Sequence, residues 1–517
     1  MRMLLRGGRV LSPAHPRATA LGVEEGQVAF VGDETEAAGW ATYADLVVDL
    51  AGRLVTPAFV DAHVHLAQTG LSAASVDLGT PTLVAALDAL AAHARQDHHA
   101  VLLGHGWDES QWPERRPFTR AEVDRATGGK PAYLARIDAH SAVVSSAFLD
   151  AVPRLAGIEG YAEEGWLTRT AHDTARQALF ELLPGSTRAD ALLRALREAA
   201  AQGIGQVHEM GAPHLSPADD FTRLDALALA HDGALPQVVR YWGSAATDET
   251  LSIAREHGCI GLAGDLCADG AIGSRTSALR APYTDEPDTS GALYLDHDTV
   301  RDHVVACTRA GVQGGFHVIG DRAADTVVAG IAAAVEQLGV DAVRAARHRL
   351  EHVEMLDHGD AGRLAAWGVT ASMQPAFHAL WGGDAALYAQ RLGRERAGRM
   401  NAVGTLLGAG VRVAFGSDTP VTPFAPWAAV RAAVHHQTPA QRIDPAAAFA
   451  AHTCGGWEAA GLSGGDLRPG APASLVVWDV TPQSPEVPAL DLGSPLPTAH
   501  LTLVHGRIAH EETGALR

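Results

Sequence analysis

The chain has 517 residues, with 60 Asp+Glu against 40 Lys+Arg and a formal charge of −20; it is too long for one ordinary domain and too acidic to suggest a nucleic-acid partner. A hydrophobic share of 47% with 19% charged residues excludes a disordered chain. Lys130 is the only lysine, so arginine supplies the rest of the basic charge and any lysine-based mechanism has a single candidate.

At the N-terminus, MRMLLRGGRV has an apolar run of three residues before Arg6, too short for a secretory leader, and no later segment reaches spanning length. The expectation is a cytoplasmic enzyme with a small-molecule substrate, no nucleic acid and no membrane; the oligomeric state stays open. Cys259, Cys267, Cys307 and Cys454 form no CxxC pair, so free thiols are expected rather than a disulfide framework or a thiolate zinc site.

Residues 1–57 read as short strands separated by Gly and Asp turns (MLLRGGRVLS, TALGVEEGQVAFVGD, DLVVDLAGRLVTP), and residues 458–517 repeat the style in DLRPGAPASLVVWDV and HLTLVHGRIAH. The two ends together predict one small β-sandwich. Between them, over 58–457, apolar strands alternate with Ala-rich amphipathic stretches: 54–65, 203–210, 236–243, 259–270, 312–320, 348–353, 369–375 and 411–418. Eight such units predict an α/β fold, a (β/α)8 TIM barrel. The long gap between the first two strands, with its Trp-rich GHGWDESQWPERRPF, predicts an inserted subdomain at about 70–190.

In such a barrel the chemistry sits at the C-terminal strand ends. His63 and His65 end strand one and, two residues apart, share one side. His317 ends strand five, His352 strand six and Asp418 strand eight. Alone, each has an ordinary structural explanation: Asp418, for instance, could cap a helix. Their joint placement suits a catalytic metal, which needs about three protein N or O ligands and an open position. His208 and Glu209 end strand two and either face the site or bond to nearby loops. The pairs His98-His99 and His435-His436 read as solvated surface.

Several further segments, VTPAFVDAHVHL, GHGWDESQWPERRPFTRAEVD, DGAIGSRTSAL, HVIGD, RLEHVEM, SMQP, FGSDTPV and DLRPGAPASLVVWD, together resemble the amidohydrolase superfamily, and more closely its amidohydrolase-3 branch, which includes N-substituted formamide deformylases. The resemblance spans nearly the whole chain. It implies a metal-dependent hydrolase of amide or other non-peptide C–N bonds, in which metal-activated water attacks a carbonyl, Asp418 shuttles the proton and His352 stands beside the developing oxyanion. Many members carry a carbamylated lysine on strand four that bridges two ions; here that position is Asp265, and Lys130 lies far away in the insertion. Two metal readings follow. One ion, zinc before other divalent metals, held by His63, His65, His317 and Asp418 is favoured over a pair bridged by Asp265 and completed by His352. Arg275, His140, Trp107 and Gln374 are candidate substrate contacts; Trp112 could reach over the mouth with Trp107, although insertion tryptophans more often build a core. The competing functions are a heterocycle deaminase using the same site and a catalytically inactive metal- or ligand-binding protein.

Overall fold

The computed structural model describes residues 2–97, 99–481, 487–488 and 490–512. Eight parallel strands form the central sheet: strand one (Phe59–Val64), two (Ile204–Gly211), three (Gln237–Trp242), four (Gly261–Leu262), five (Gln313–Val318), six (Arg349–His352), seven (Thr370–Met373) and eight (Arg412–Phe415). Each neighbours the next in sequence, and the edges meet through a parallel bridge between Val64 and Thr419. Asp418 N–H donating to His63 O (2.9 Å) and His65 N–H to Thr419 O (3.1 Å) complete that seam, giving a nearly closed barrel. Strand one is buried at every position, as expected when helices cover a parallel sheet.

Two differences from the sequence reading matter for the site. The first predicted strand is two strands: Leu54–Pro57 pairs antiparallel with Leu475–Trp478 in a terminal sheet, and only Phe59–Val64 enters the barrel. Pro57 has no N–H to give; Ala58 N–H still pairs with Ser474 O of the terminal sheet, and Phe59 N–H turns to Gly203 O at the start of strand two. Strand four is only Gly261–Leu262, because Gly264 adopts φ +84° and breaks the run. The next residue, Asp265, therefore hangs into the mouth instead of continuing a ladder, and Gly243 accommodates it: a Cβ there would lie 2.8 Å from the Asp265 carbonyl carbon.

Both chain ends build one sandwich. Arg9–Val10, Leu54–Pro57, Leu475–Trp478, Ala499–Val504 and Arg507–Glu511 form one sheet; Gln27–Gly32, Ala20–Glu24, Arg2–Arg6 and Leu46–Asp49 form the other. Met3, Leu5, Leu21 and Val23 of the second sheet share a core with Leu475, Val477, Leu501 and Leu503 of the first. A further five-stranded sheet, from Val76–Asp77 to Trp166–Thr168, is inserted after strand one.

Candidate metal centre

His63, His65, Asp265, His317, His352 and Asp418 converge at the C-terminal mouth and are all nearly buried. His63 Nε2 lies 3.5 Å from Asp265 Oδ1 and 3.4 Å from Asp418 Oδ1. His65 Nε2 lies 3.3 Å from Asp265 Oδ2 and 3.1 Å from Asp418 Oδ1, and His317 Nδ1 is 3.7 Å from Asp265 Oδ1. Two ligands about 2.1 Å from one tetrahedral ion stand about 3.4 Å apart, so these spacings match atoms sharing a cation. His63 Nε2, His317 Nδ1 and Asp265 Oδ1 are buried without a hydrogen-bond partner, a costly arrangement unless a cation completes it. Three ligand sets lie close enough to hold an ion: His63, His352 and Asp418; His63, His65 and Asp265; and Asp265, His317 and His352. Asp265 belongs to two of them.

The outward nitrogens of His63 and His352 are fixed by neighbours, as metal-ligating histidines require. His63 Nδ1 meets Glu351 Oε2 at 3.0 Å, and Glu351 is gripped by Arg349, whose Nε and Nη2 donate at 2.5 and 3.0 Å. Arg349 also donates to Ala62 O and lies 4.5 Å from the Tyr241 ring centroid. His352 Nδ1 donates to Gln374 Oε1 at 2.8 Å, so the neutral ring keeps its lone pair on Nε2, the state of a ligand. Burial, together with His317, pushes that imidazole down to about 4. For His63 burial acts in the same direction, but Asp418 and Asp265 outweigh it and lift the ring to about 9; two carboxylates here demand positive charge. Asp61 accepts from the Ser417 (2.8 Å) and His63 (3.3 Å) backbone N–H groups and so ties strand one to the Asp418 loop. Asp418 and His352 sit at φ +56° and +68°, backbone strain of the kind that surrounding structure holds at functional sites.

The other expected contacts divide. His140 reaches the mouth, its ring 5.1 Å from His317, and lines both cavities that open onto the cluster. Gln374 orients His352 rather than facing a substrate directly. Arg275 is committed to Asp285 (2.8 Å) and Glu286 (3.3 Å) rather than offered to a substrate; Asp269 accepts from Ile319, Gly320 and Ala278 N–H. Trp107 does not reach the site. It is fully buried against Trp112 and Phe118, with Nε1 donating to Leu134 O, because an insertion that large needs a core of its own. Trp107→Ala should cost about 3–5 kcal/mol in denaturant unfolding while leaving metal affinity unchanged.

His208 and Glu209 are likewise structural: His208 Nδ1 lies 3.1 Å from Arg349 Nη1, and Glu209 accepts from Leu66 N–H at 2.8 Å. Lys130 donates to Ala94 and Asp97 carbonyls in the insertion. His436, read as solvated, is 3% exposed and stacked on His378, whereas His435 is half-buried against Leu490 O; His98 lies outside the described residues. Sequence reading missed Glu351 and Arg349. The signal was present: two charged residues, two apart, in a strand that must be buried on both faces.

Residues 46–510 match the model of the amidohydrolase family, amidohydrolase-3 type. The chain belongs to the amidohydrolase family. Among curated proteins this amidohydrolase is 26% identical to the N-substituted formamide deformylase of Arthrobacter pascens, covering 92% of each chain. It is 27% identical to the Protein LONG AFTER FAR-RED 3 of Arabidopsis thaliana, covering 90% of this chain and 85% of that one. Among solved structures, a metal-dependent hydrolase of Pyrococcus horikoshii OT3 is 25% identical with a TM-score of 0.73, covering 93% of this chain and 98% of that one. One of Pyrococcus furiosus is 25% identical with a TM-score of 0.71, covering 92% and 98%. The amidohydrolase is thus a metal-dependent hydrolase by family, with a buried His/Asp cluster as its candidate metal site.

Proposed function

We propose that the protein hydrolyses an amide or other non-peptide C–N bond of a small molecule in the cytoplasm. The observation that carries this is the convergence of His63, His65, His317, His352, Asp265 and Asp418 at the barrel mouth with ligand atoms unpartnered. His63, His65 and Asp418, with Asp265, would hold one divalent ion, and Asp265, His317 and His352 a second. Because Asp265 reaches both sets, the geometry supports a pair more strongly than the residue's length suggested. A divalent cation, zinc first, supplies a water with its pKa lowered toward about 7 and a polarised carbonyl.

The chain's own groups manage protons. Asp418 Oδ1 faces His63 and His65, while Oδ2, 4.0 Å from His352 Nδ1, is left to take a proton as water attacks and to return it to the departing amine nitrogen. An amide nitrogen leaves poorly without that proton. With its Nδ1–H given to Gln374, His352 would serve as a ligand through Nε2; donating to an oxyanion would require the other tautomer.

The test is elemental analysis joined to turnover. Protein purified without chelator should carry two equivalents of metal and hydrolyse members of an N-formyl and N-acyl amide panel; chelation should abolish this and added zinc restore it. Asp265→Asn should lower the content to one equivalent or less. A single equivalent in the native protein would return the site to one ion. Metal binding with no turnover on the panel would favour the inactive binder, and ammonia release from heterocycles the deaminase.

A further inference from the structure

Two cavities meet at the metal cluster, both lined by Asp138, His140, His317 and Asp418. One is polar, with Arg169, His172, Asp173, Arg176 and His214 in its wall. The other is walled by Ile272, Ile319, Phe377, Trp381, Leu387 and Tyr388, with Glu354 among them. We propose that this second lobe binds a positively charged organic nitrogen on the substrate's arm, paired with Glu354 and faced by Phe377, Trp381 and Tyr388. The assignment to a substrate rests on the hydrolase reading above.

Three observations carry it. The aromatic wall starts at the metal cluster and turns away from it. Phe377 stacks on His352 (centroids 6.1 Å, planes 10° apart), Trp381 follows at 5.0 Å and 54°, and Tyr388 at 6.2 Å and 65°. All three rings line the one lobe, where a cation over a ring face would be attracted to it. Second, Glu354 is 4% exposed, and its Oε2 makes no close hydrogen bond among the described residues, the neighbouring Tyr388 hydroxyl and Asn401 side-chain amide being left without a close partner as well. A neutral apolar arm would leave that acceptor buried and unpaired.

Third, the two arginines nearest the lobe among the described residues, Arg136 and Arg391, are already engaged. Arg136, fully buried, donates to Asp108, Glu109 and Asp138, all at 2.8–2.9 Å. Arg391 is taken by Glu109 and Asp285. Asp108, Glu109, Asp138 and Asp285 are the four carboxylates that engage these two arginines; Glu354 is a fifth, with no ion-pair partner among the described residues, whose charge a cationic arm would balance. The substrate class that follows is an amide whose arm, reaching from the carbonyl at Asp418 to Glu354, ends in an alkylammonium or quaternary ammonium group.

Binding of choline and of 3,3-dimethylbutan-1-ol to the metal-loaded full chain, measured by calorimetry, tests this, because the two differ in charge and hardly in shape. Choline should bind at least about tenfold more tightly. Glu354→Gln should bring the two affinities together, with metal content unchanged, and Trp381→Leu should reduce their ratio several-fold. Equal affinities in the native protein, or a preference retained in Glu354→Gln, would overturn the proposal; the native comparison decides even if a variant misfolds. Calorimetry requires no turnover. A charge preference without hydrolysis on the amide panel would sink the hydrolase reading and leave the lobe's ligand standing, and equal affinities would do the reverse.

Discussion

Asp418→Asn is expected to lower kcat by about 10³-fold while the protein keeps most of its metal. The substitution is nearly isosteric and retains one oxygen where Asp418 Oδ1 stands, 3.1 Å from His65 Nε2 and 3.4 Å from His63 Nε2. What it removes is basicity: an amide oxygen does not take a proton from water at neutral pH or hand one to an amine. The carboxyl is suited to the role because, although burial alone would push it up, His63, His65 and His352 hold it below the usual carboxylate range, so it is ionised when attack begins. Elemental analysis and steady-state kinetics on the same preparation check the two halves of the expectation. Full activity in Asp418→Asn would remove the proton shuttle from the mechanism, and complete loss of metal would make the residue a ligand first.

Arg349→Met should be the most damaging change away from the ligands. Arg349 and Glu351 are both fully buried, and removing the guanidinium leaves the carboxylate uncompensated in the barrel interior, at a cost of about 3–5 kcal/mol. Denaturant unfolding measures this. Because Glu351 also fixes His63, metal affinity should weaken about 10- to 100-fold. The pH dependence has a definite sign. Burial by itself would raise the Glu351 carboxyl, but Arg349 and His63 outweigh it and hold it at about 2, below its ordinary 4.5. A carboxyl lowered on folding contributes stability that is present above pH 4.5 and is lost as pH falls toward 2. In Arg349→Met the carboxyl rises, so this contribution should disappear and acid unfolding should begin at higher pH. An unfolding midpoint equal to that of the native chain from pH 7 to pH 3 would show that the pair carries no such load.

Strand order and the four site histidines were legible because both rest on local periodicity: buried parallel strands are short apolar runs, and a polar residue at the end of such a run stands out. His140 was legible only as a residue of the insertion. Its position 5.1 Å from His317 depends on how the inserted sheet folds over the mouth. Trp107 misled for the complementary reason. Its indole is equally suited to a substrate wall and to a small core, and only packing separates the two. Glu354 lies two residues beyond His352, yet nothing local marks it as unpaired, since that depends on what Tyr388 and Asn401 leave unmade.

The sequence by itself determined the barrel, the sandwich shared by the two chain ends, the His-x-His pair with His317, His352 and Asp418, and the absence of any lysine on a barrel strand. Each follows from residue type and spacing along one segment. Tertiary structure decided what Asp265 does. The break at Gly264 and the close approach allowed by Gly243 bring a short carboxylate within 3.7 Å of three imidazoles from strands one and five. Gly264 adjoins Asp265 in sequence, but the approach also depends on Gly243 just beyond strand three and on the imidazoles of strands one and five, which only the folded chain brings there.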